Sequence, residues 1–292
     1  MITNFKRTVE AGGVDLHCHT SLSDGRYSVR EILEMACAKG YSTIAITDHN
    51  MVPKNIGELR DEYAVRGLNV LTAAEISALD TDDNGGDLEI HVVALGIDPE
   101  KLEWLFEKCL SNRRGYIEAM LDKLRQAGVA DIKYDELTDY YNTEYIGKSH
   151  VAKYMNMLGV VSSVKEGLDR YIGNCGERLC WVASRNYITY PSLETVVKAI
   201  LEAGGIPILS HLYYYNLSDE LGERLVKKFK LFGGVGMEVY YGDYDEEQTA
   251  RLKALADKYG LKYSCASDFH GWDDFNSMMQ FAPEILDSLL SE

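Results

Sequence analysis

The feature that most constrains this chain is an interrupted alternation. Short apolar runs and helical patterns take turns at both ends, with a long helix-type stretch between them. Val14–Cys18 reads as a strand and Ser28–Lys39 as a helix, opened by the S-x-x-E capping box of Ser28 and Glu31. Strand Thr43–Thr47, a helix near Asn55–Arg66 and strand Asn69–Ala74 follow. After the turn-rich Asp80–Asp87 comes a strand at Leu88–Leu95. The rhythm resumes with a helix near Pro191, strand Ile206–Ser210, a helix to Phe232, strand Val235–Tyr240, helix Glu246–Tyr259 and strand Lys262–Ser267. Seven candidate strands with mostly parallel-type connections predict an α/β fold, a closed or nearly closed barrel built from residues 1–98 and 191–292. Residues 99–190 read differently: Pro99–Gln126, Ser149–Leu158 and Ser162–Tyr171 are helical and no convincing buried strand interrupts them. That stretch is too long for an ordinary loop and is expected to be a helical insertion.

Composition narrows the functional classes. The formal net charge is −16, from 46 acidic and 30 basic residues, a field that repels a phosphate polymer and argues against a general nucleic-acid binder. A small phosphorylated substrate stays open, because bound cations reverse the sign locally. No run approaches the roughly 18 apolar residues that span a bilayer, and the N-terminus lacks a signal-peptide apolar region, so no membrane partner and a cytoplasmic protein are expected. Cys18, Cys37, Cys109, Cys175, Cys180 and Cys265 are scattered in a manner that suits reduced, mostly buried thiols.

Chemistry-bearing residues gather at the predicted strand ends. His17 and His19 in Asp15-Leu16-His17-Cys18-His19 share one strand face while Cys18 points the other way. Two imidazoles on one face make half a metal site, and Asp24-Gly25 follows. Asp48 and His49 end the next strand, and Glu75, a carboxylate able to bridge two metals, ends the third. His91 lies in the fourth strand, His211 closes Ile206–Ser210, and Ser267-Asp268-Phe269-His270 closes the last with the same period-two spacing. Six of the 7 histidines therefore lie at or beside strand ends, where barrel enzymes keep their chemistry.

The order H-x-H, D-G, D-H, E, H, S-H and S-D-x-H, from Val14 through His270, resembles the PHP (polymerase and histidinol phosphatase) family. More narrowly, it looks like the family's stand-alone nucleotide phosphatases, which carry a helical insertion. The resemblance implies a distorted (β/α)7 barrel with an inserted helical subdomain acting as a substrate cap. It implies two or three divalent metal ions, for which manganese, iron and zinc suit mixed imidazole and carboxylate ligands. His17, His19, Glu75 and Asp268 would hold one ion. Glu75, His91 and His211 would hold a second, and Asp24, His49 and His270 a third. Glu75, His211 and Asp268 would also be catalytic, and Asp48 is expected to orient a histidine. In-line hydrolysis by a metal-bridging hydroxide is the implied mechanism.

Substrate residues are implied by the same resemblance. Lys148-Ser149-His150 is similar to an Arg-Thr-His segment that meets substrate phosphate, with lysine lacking arginine's planar fork. Independently of the resemblance, Arg178 and Arg185, flanking Trp181, sit in a loop that could reach the site and contact phosphate, with a plain surface role as the alternative. Family members commonly have His-Pro where this chain reads His211-Leu212-Tyr213-Tyr214-Tyr215, a run suited to stacking on a ring or to packing beneath the insertion. The expected function is hydrolysis of a small phosphorylated metabolite, foremost a nucleoside 5′-monophosphate or 3′,5′-bisphosphate. The alternatives are a histidinol phosphatase, a metal-dependent C–N hydrolase and a metal-binding regulator without catalysis.

Overall fold

The computed structural model describes residues 12–81, 86–111, 113–143, 145–173, 176–272 and 277–290. Cys175 and the centre of the predicted turn at Asp80–Asp87 lie outside the described residues. The first part of the chain forms β1 (Gly13–Cys18), α1 (Val29–Ala38), β2 (Tyr41–Ile46), α2 (Ile56–Ala64), β3 (Asn69–Thr81) and β4 (Asp87–Leu95). The helices α3 (Glu103–Leu110), α4 (Arg113–Gln126), α5 (Tyr134–Tyr141), α6 (Lys148–Met157) and α7 (Val164–Glu166) follow, the last running into a wide turn at Gly167–Ile172. Then come α8 (Leu193–Glu202), β5 (Ile206–Leu209), α9 (Asp219–Leu231), β6 (Gly236–Tyr241), α10 (Glu246–Tyr259), β7 (Lys262–Ala266) and α11 (Glu284–Leu290).

The strands form one 7-stranded sheet in sequential order. β1, β2 and β3 are mutually parallel, as are β5, β6 and β7, and β4 runs antiparallel to both β3 and β5. The sheet curls until its first and last strands meet. The Asp268 N–H donates to the His17 carbonyl at 2.9 Å and the His19 N–H to the Phe269 carbonyl at 2.9 Å. Four strands are buried along nearly their whole length and β7 along its second half, which explains why they read as apolar runs rather than alternating ones.

Two strand expectations need correction. Glu75 does not end β3: the strand continues to Thr81 because it pairs residue by residue with β4, from Ala73 opposite Leu95 to Thr81 opposite Asp87. β4 is therefore antiparallel to its neighbours, and His91 reaches the site from mid-strand, opposite Ser77. Alternation still sets the facing. Leu71, Ala73, Val93, Leu95 and Ile208 form an apolar cluster with Leu286 and Leu289 of α11. Glu75 and His91 stand two residues further along those same faces of β3 and β4.

The helical expectations hold in kind and shift in detail. The Ser28–Glu31 capping box is present. The single helix predicted over Pro99–Gln126 is broken between α3 and α4, where Ser111 turns extended with ψ 139°. The helix expected near Pro191 begins at Leu193, because the Ser192 side chain caps it by accepting from the Thr195 N–H. Helices α5 and α11 were not anticipated. The inserted helices share a core with the sheet: Ile76, Ile90 and Val92 pack in one cluster with Leu105, Ile117, Met120 and Val151. No helix among the described residues is long and apolar enough to cross a membrane.

A shared core implies shared cooperativity. Ile117→Ala, at a fully buried position of α4, is expected to lower unfolding free energy by about 2–5 kcal/mol in a single urea transition. Two separated transitions would show instead that the inserted helices unfold on their own.

Candidate metal centre

β1 delivers the first pair of imidazoles. Cys18, facing away, donates its thiol to the Ala45 carbonyl at 3.2 Å, while the His17 and His19 Nε2 atoms approach to 3.1 Å. The Nδ1 of His17 lies 2.6 Å from Glu238 Oε1, and the second Glu238 oxygen accepts the backbone N–H of His211 at 2.6 Å. One carboxylate from β6 thus orients a ring on β1 and braces the chain after β5.

Glu75 stands at the middle of the cluster and is buried. Its Oε1 faces His211 Nε2 at 2.8 Å, His91 Nδ1 at 3.0 Å and His17 Nε2 at 3.4 Å. Its Oε2 faces His49 Nδ1 at 2.9 Å and His19 Nε2 at 3.5 Å. Asp268 adds a carboxylate 3.1 Å from His19 and 3.5 Å from His17, and Tyr241 donates its hydroxyl to Asp268 Oδ2 at 2.6 Å. Both Asp268 and His211 have left-handed backbone, φ 50° and 25°. Such conformations cost of order 1–3 kcal/mol each and persist only where surrounding contacts impose them.

The third group is built on the loop after β1. Asp24 Oδ1 faces His270, His49 and His19 nitrogens at 3.2, 3.6 and 3.7 Å. Asp48 organises this loop by accepting from the Thr20 N–H and hydroxyl at 2.8 and 2.6 Å and from the Ser23 N–H at 3.2 Å. Asp48 therefore orients the loop that carries His19 and Asp24. A glycine must follow Asp24, because a Cβ at Gly25 would lie 2.6 Å from the His19 carbonyl oxygen. The insertion reaches the same loop. Lys153 of α6 donates to the Asp24 carbonyl at 2.9 Å, beside the Trp272 indole at 3.0 Å.

All nine residues read as ligands from the sequence thus meet in one cluster. Three subsets have ligand atoms within 4.8 Å of one another: His17, His19 and Glu75; His49, Glu75 and His91; and His19, Asp24, His49 and His270. The grouping differs from the expected one in that His49 stands between Glu75 and Asp24. The donor set fits divalent cations. Buried and partly buried imidazole and carboxylate atoms converge, and among the described residues Asp24 Oδ1 and His211 Nδ1 are buried with no well-aligned hydrogen bond.

Electrostatics point the same way. Burial opposes ionisation of Glu75, Asp24 and Asp268, but the surrounding imidazoles outweigh it and hold all three well below the usual carboxylate range. Burial likewise opposes protonation of His17, yet Glu238 and Glu75 keep its pKa well above the ordinary value. His91, against the same opposition, is pushed up to about 10 by Glu75 and Glu89. Protons on these rings occupy the role that cations would take, so metal binding is coupled to proton release.

The sequence-predicted substrate residues divide. Lys148 opens α6, its ammonium 5.8 Å from the Tyr116 ring centroid. His150 is buried and accepts the Gly147 N–H at 3.0 Å, and burial depresses its pKa to about 3. Arg185 is exposed, two residues before Tyr187, whose ring meets Tyr116 near the start of α4. Arg178 is exposed and covers Trp181 at 4.0 Å. The Trp181 carbonyl bonds Lys123, ten residues or about 15 Å along α4 from Arg113. Arg178 thus packs on the tryptophan whose carbonyl Lys123 of α4 holds.

Arg113 itself escaped the sequence reading. It opens α4, donates to the Ile146 carbonyl at 3.0 Å and lies 3.8 Å over the Tyr145 ring, which in turn stacks on His49 with centroids 5.7 Å apart. Its neighbour Arg114 pairs outward with Glu118 at 2.8 Å. The available signal was the Arg-Arg pair at a helix start, where successive residues face different sides.

Residues 15–203 match the PHP domain family. The chain is 30% identical over 264 residues to the 3′,5′-nucleoside bisphosphate phosphatase of Chromobacterium violaceum, covering 88% of this chain and 87% of that one. It is 28% identical over 277 residues to a 5′-3′ exoribonuclease of Haemophilus influenzae, covering 93% and 96%. Among solved structures it resembles a Chromobacterium violaceum amidohydrolase with bound sulfate and no metal, with TM-score 0.79, 27% identity and coverage of 93% and 92%. A Bifidobacterium adolescentis protein described as a metal-dependent phosphoesterase superposes with TM-score 0.77 and 26% identity over 96% of both chains.

Two measurements follow from this geometry. Glu238→Gln is expected to weaken divalent-metal binding about 10–100-fold in a metal titration while leaving the circular dichroism spectrum native. The second concerns His150, for which glutamine preserves the capping role. The folded protein keeps His150 neutral down to about pH 3, whereas an unfolded histidine protonates near pH 6.5. The wild type should therefore lose stability relative to His150→Gln as pH falls below about 6.5, by up to about 1.4 kcal/mol per pH unit. Equal pH slopes in urea denaturation would show that His150 is not held neutral.

Proposed function

The chain belongs to the PHP domain family, and from that premise we propose that it is a metal-dependent phosphoesterase acting on a nucleoside 3′,5′-bisphosphate or 5′-monophosphate. The observation that carries this reading is the convergence of five imidazoles on the buried carboxylate of Glu75, with cationic Arg113 beside the stacked Tyr145–His49 pair.

His17, His19, Glu75 and Asp268 would hold one ion, Glu75, His91 and His211 a second, and Asp24, His49 and His270 a third, with manganese, iron or zinc all matching the donors. Ions bound there supply Lewis-acid polarisation of phosphoryl oxygens and a water of lowered pKa. The chain's own residues do the rest. Glu238 fixes the His17 ring through its Nδ1 and holds the His211 backbone. Glu75, His211 and Asp268 line the reacting position. Residues 99–190 act as a cap, with Arg113 and Lys148 as phosphate-binding cations and Arg185 at the rim. Buried, neutral His150 shapes the α6 N-terminus rather than supplying charge. Arg178 is left without a substrate role.

Support for the substrate class comes from the bisphosphate phosphatase likeness. The likeness to an exoribonuclease adds a short 5′-phosphorylated oligoribonucleotide to the compounds worth testing, though a net charge of −16 disfavours long polymers.

The test is phosphate or nucleotide release by protein loaded with manganese, zinc or iron. Substrates would be nucleoside bisphosphates, nucleoside monophosphates, histidinol phosphate and a 5′-phosphorylated trinucleotide. Release concentrated on the nucleosidic phosphates is expected, abolished by chelation and by His17→Ala or Asp268→Ala. Arg113→Met should lower kcat/KM about 10–100-fold. No release by metal-loaded protein would refute the reading and direct attention to C–N bonds.

A further inference from the structure

The tyrosine run after His211 is not used by the phosphoesterase reading as it stands. Leu212–Tyr215 forms a single tight turn directly behind His211. Two of its rings are committed to packing. Tyr213 meets Tyr244 edge-on at 5.2 Å. Tyr215 accepts the His91 N–H at 2.8 Å and donates to the His91 carbonyl at 3.3 Å.

Tyr214 is placed differently. It is 56% exposed, and its hydroxyl donates to Asp243 Oδ2 at 3.4 Å. Its ring lies 5.6 Å from His211 and 5.6 Å from Tyr241, the tyrosine whose hydroxyl holds Asp268. The ring is thus fixed at the edge of the cluster by two of the residues that build it. Tyr145, His49, His91, His211 and Tyr214 form a continuous row of rings, with neighbouring centroids 5.7, 5.4, 5.3 and 5.6 Å apart. Arg113 covers the Tyr145 end of that row, and Tyr214 forms the other end. One end of the row carries a cation suited to phosphate, and the other ends on an exposed tyrosine ring.

We propose that Tyr214 is a specificity-determining residue that stacks on the nucleobase, so that the barrel reads the base while the helical insertion reads the phosphate. This rests on the phosphoesterase reading and deepens it. A tyrosine ring has two side-chain torsions to immobilise, and here its two ring neighbours already restrict them, so stacking costs little order. Stacking tolerates any base, because every base has a π face, and it is strongest where the stacked area is largest. The expected preference is therefore purine over pyrimidine.

The experiment compares adenosine 3′,5′-bisphosphate with ribose 3,5-bisphosphate, which lacks the base, on metal-loaded wild type, Tyr214→Ala and Tyr214→Phe. The ratio of kcat/KM for the two compounds should fall about tenfold in Tyr214→Ala, through KM. Tyr214→Phe should keep at least half of the wild-type ratio. An unchanged ratio in Tyr214→Ala, with a wild type active on both compounds, overturns the Tyr214 assignment alone. A ratio that falls equally in Tyr214→Phe overturns stacking in favour of a hydroxyl contact. A wild type that turns over neither compound overturns the phosphoesterase reading and this inference with it.

Discussion

Five imidazoles lie within 3.5 Å of the two oxygens of one buried carboxylate, Glu75. The molecule is organised around that convergence. An ionised carboxylate is costly to bury unless charge and hydrogen bonds compensate. Here the rings of β1, β4, the β2 end and the β5 end all contribute, which ties together strands that are distant in the chain. The same constraint accounts for the antiparallel β4: it carries His91 to Glu75 from the opposite direction while completing the wall between β3 and β5.

Around this centre, a layer of acidic and hydroxyl groups sets orientation. Glu238 fixes a ring and a backbone amide at once. Asp48 gathers the loop bearing His19 and Asp24. The left-handed backbone at His211 and Asp268 is held by these contacts, so local strain is offset by the network that the site requires. The insertion is attached to the same layer through Lys153 and the Asp24 carbonyl, and its helices share an apolar core with the sheet. The insertion and the histidine cluster are thus joined by polar contact and by shared core.

The distribution of charge has a functional logic. The chain is acidic overall, but cations from α4 and α6 come in beside the histidines, so an anion meets local positive charge. Tyr214 and Tyr241 add aromatic rings beside His211 and Asp268.

Much of this was determined by the sequence itself. Period-two spacing put His17 and His19 on one face, and alternation continued from Leu71 and Ala73 to Glu75, because side-chain direction along a strand is a local property. The Ser28 cap was readable for the same reason. What the chain could not reveal locally was decided by long-range packing. The extension of β3 to Thr81 depends on pairing with β4 rather than on propensity, and the capping of α8 at Ser192 overrode the proline signal. Arg113 reaches the Tyr145–His49 stack because α4 starts afresh after the break at Ser111 and Ile146 and Tyr145 fold against it. Arg178 found a ring of its own insertion, Trp181, to pack on. Which of three adjacent tyrosines stayed exposed was likewise a tertiary outcome: Tyr244 and the His91 backbone claimed Tyr213 and Tyr215, and left Tyr214 at the rim. Sequence determines which way a side chain leaves its own strand, whereas only the folded chain determines what it meets.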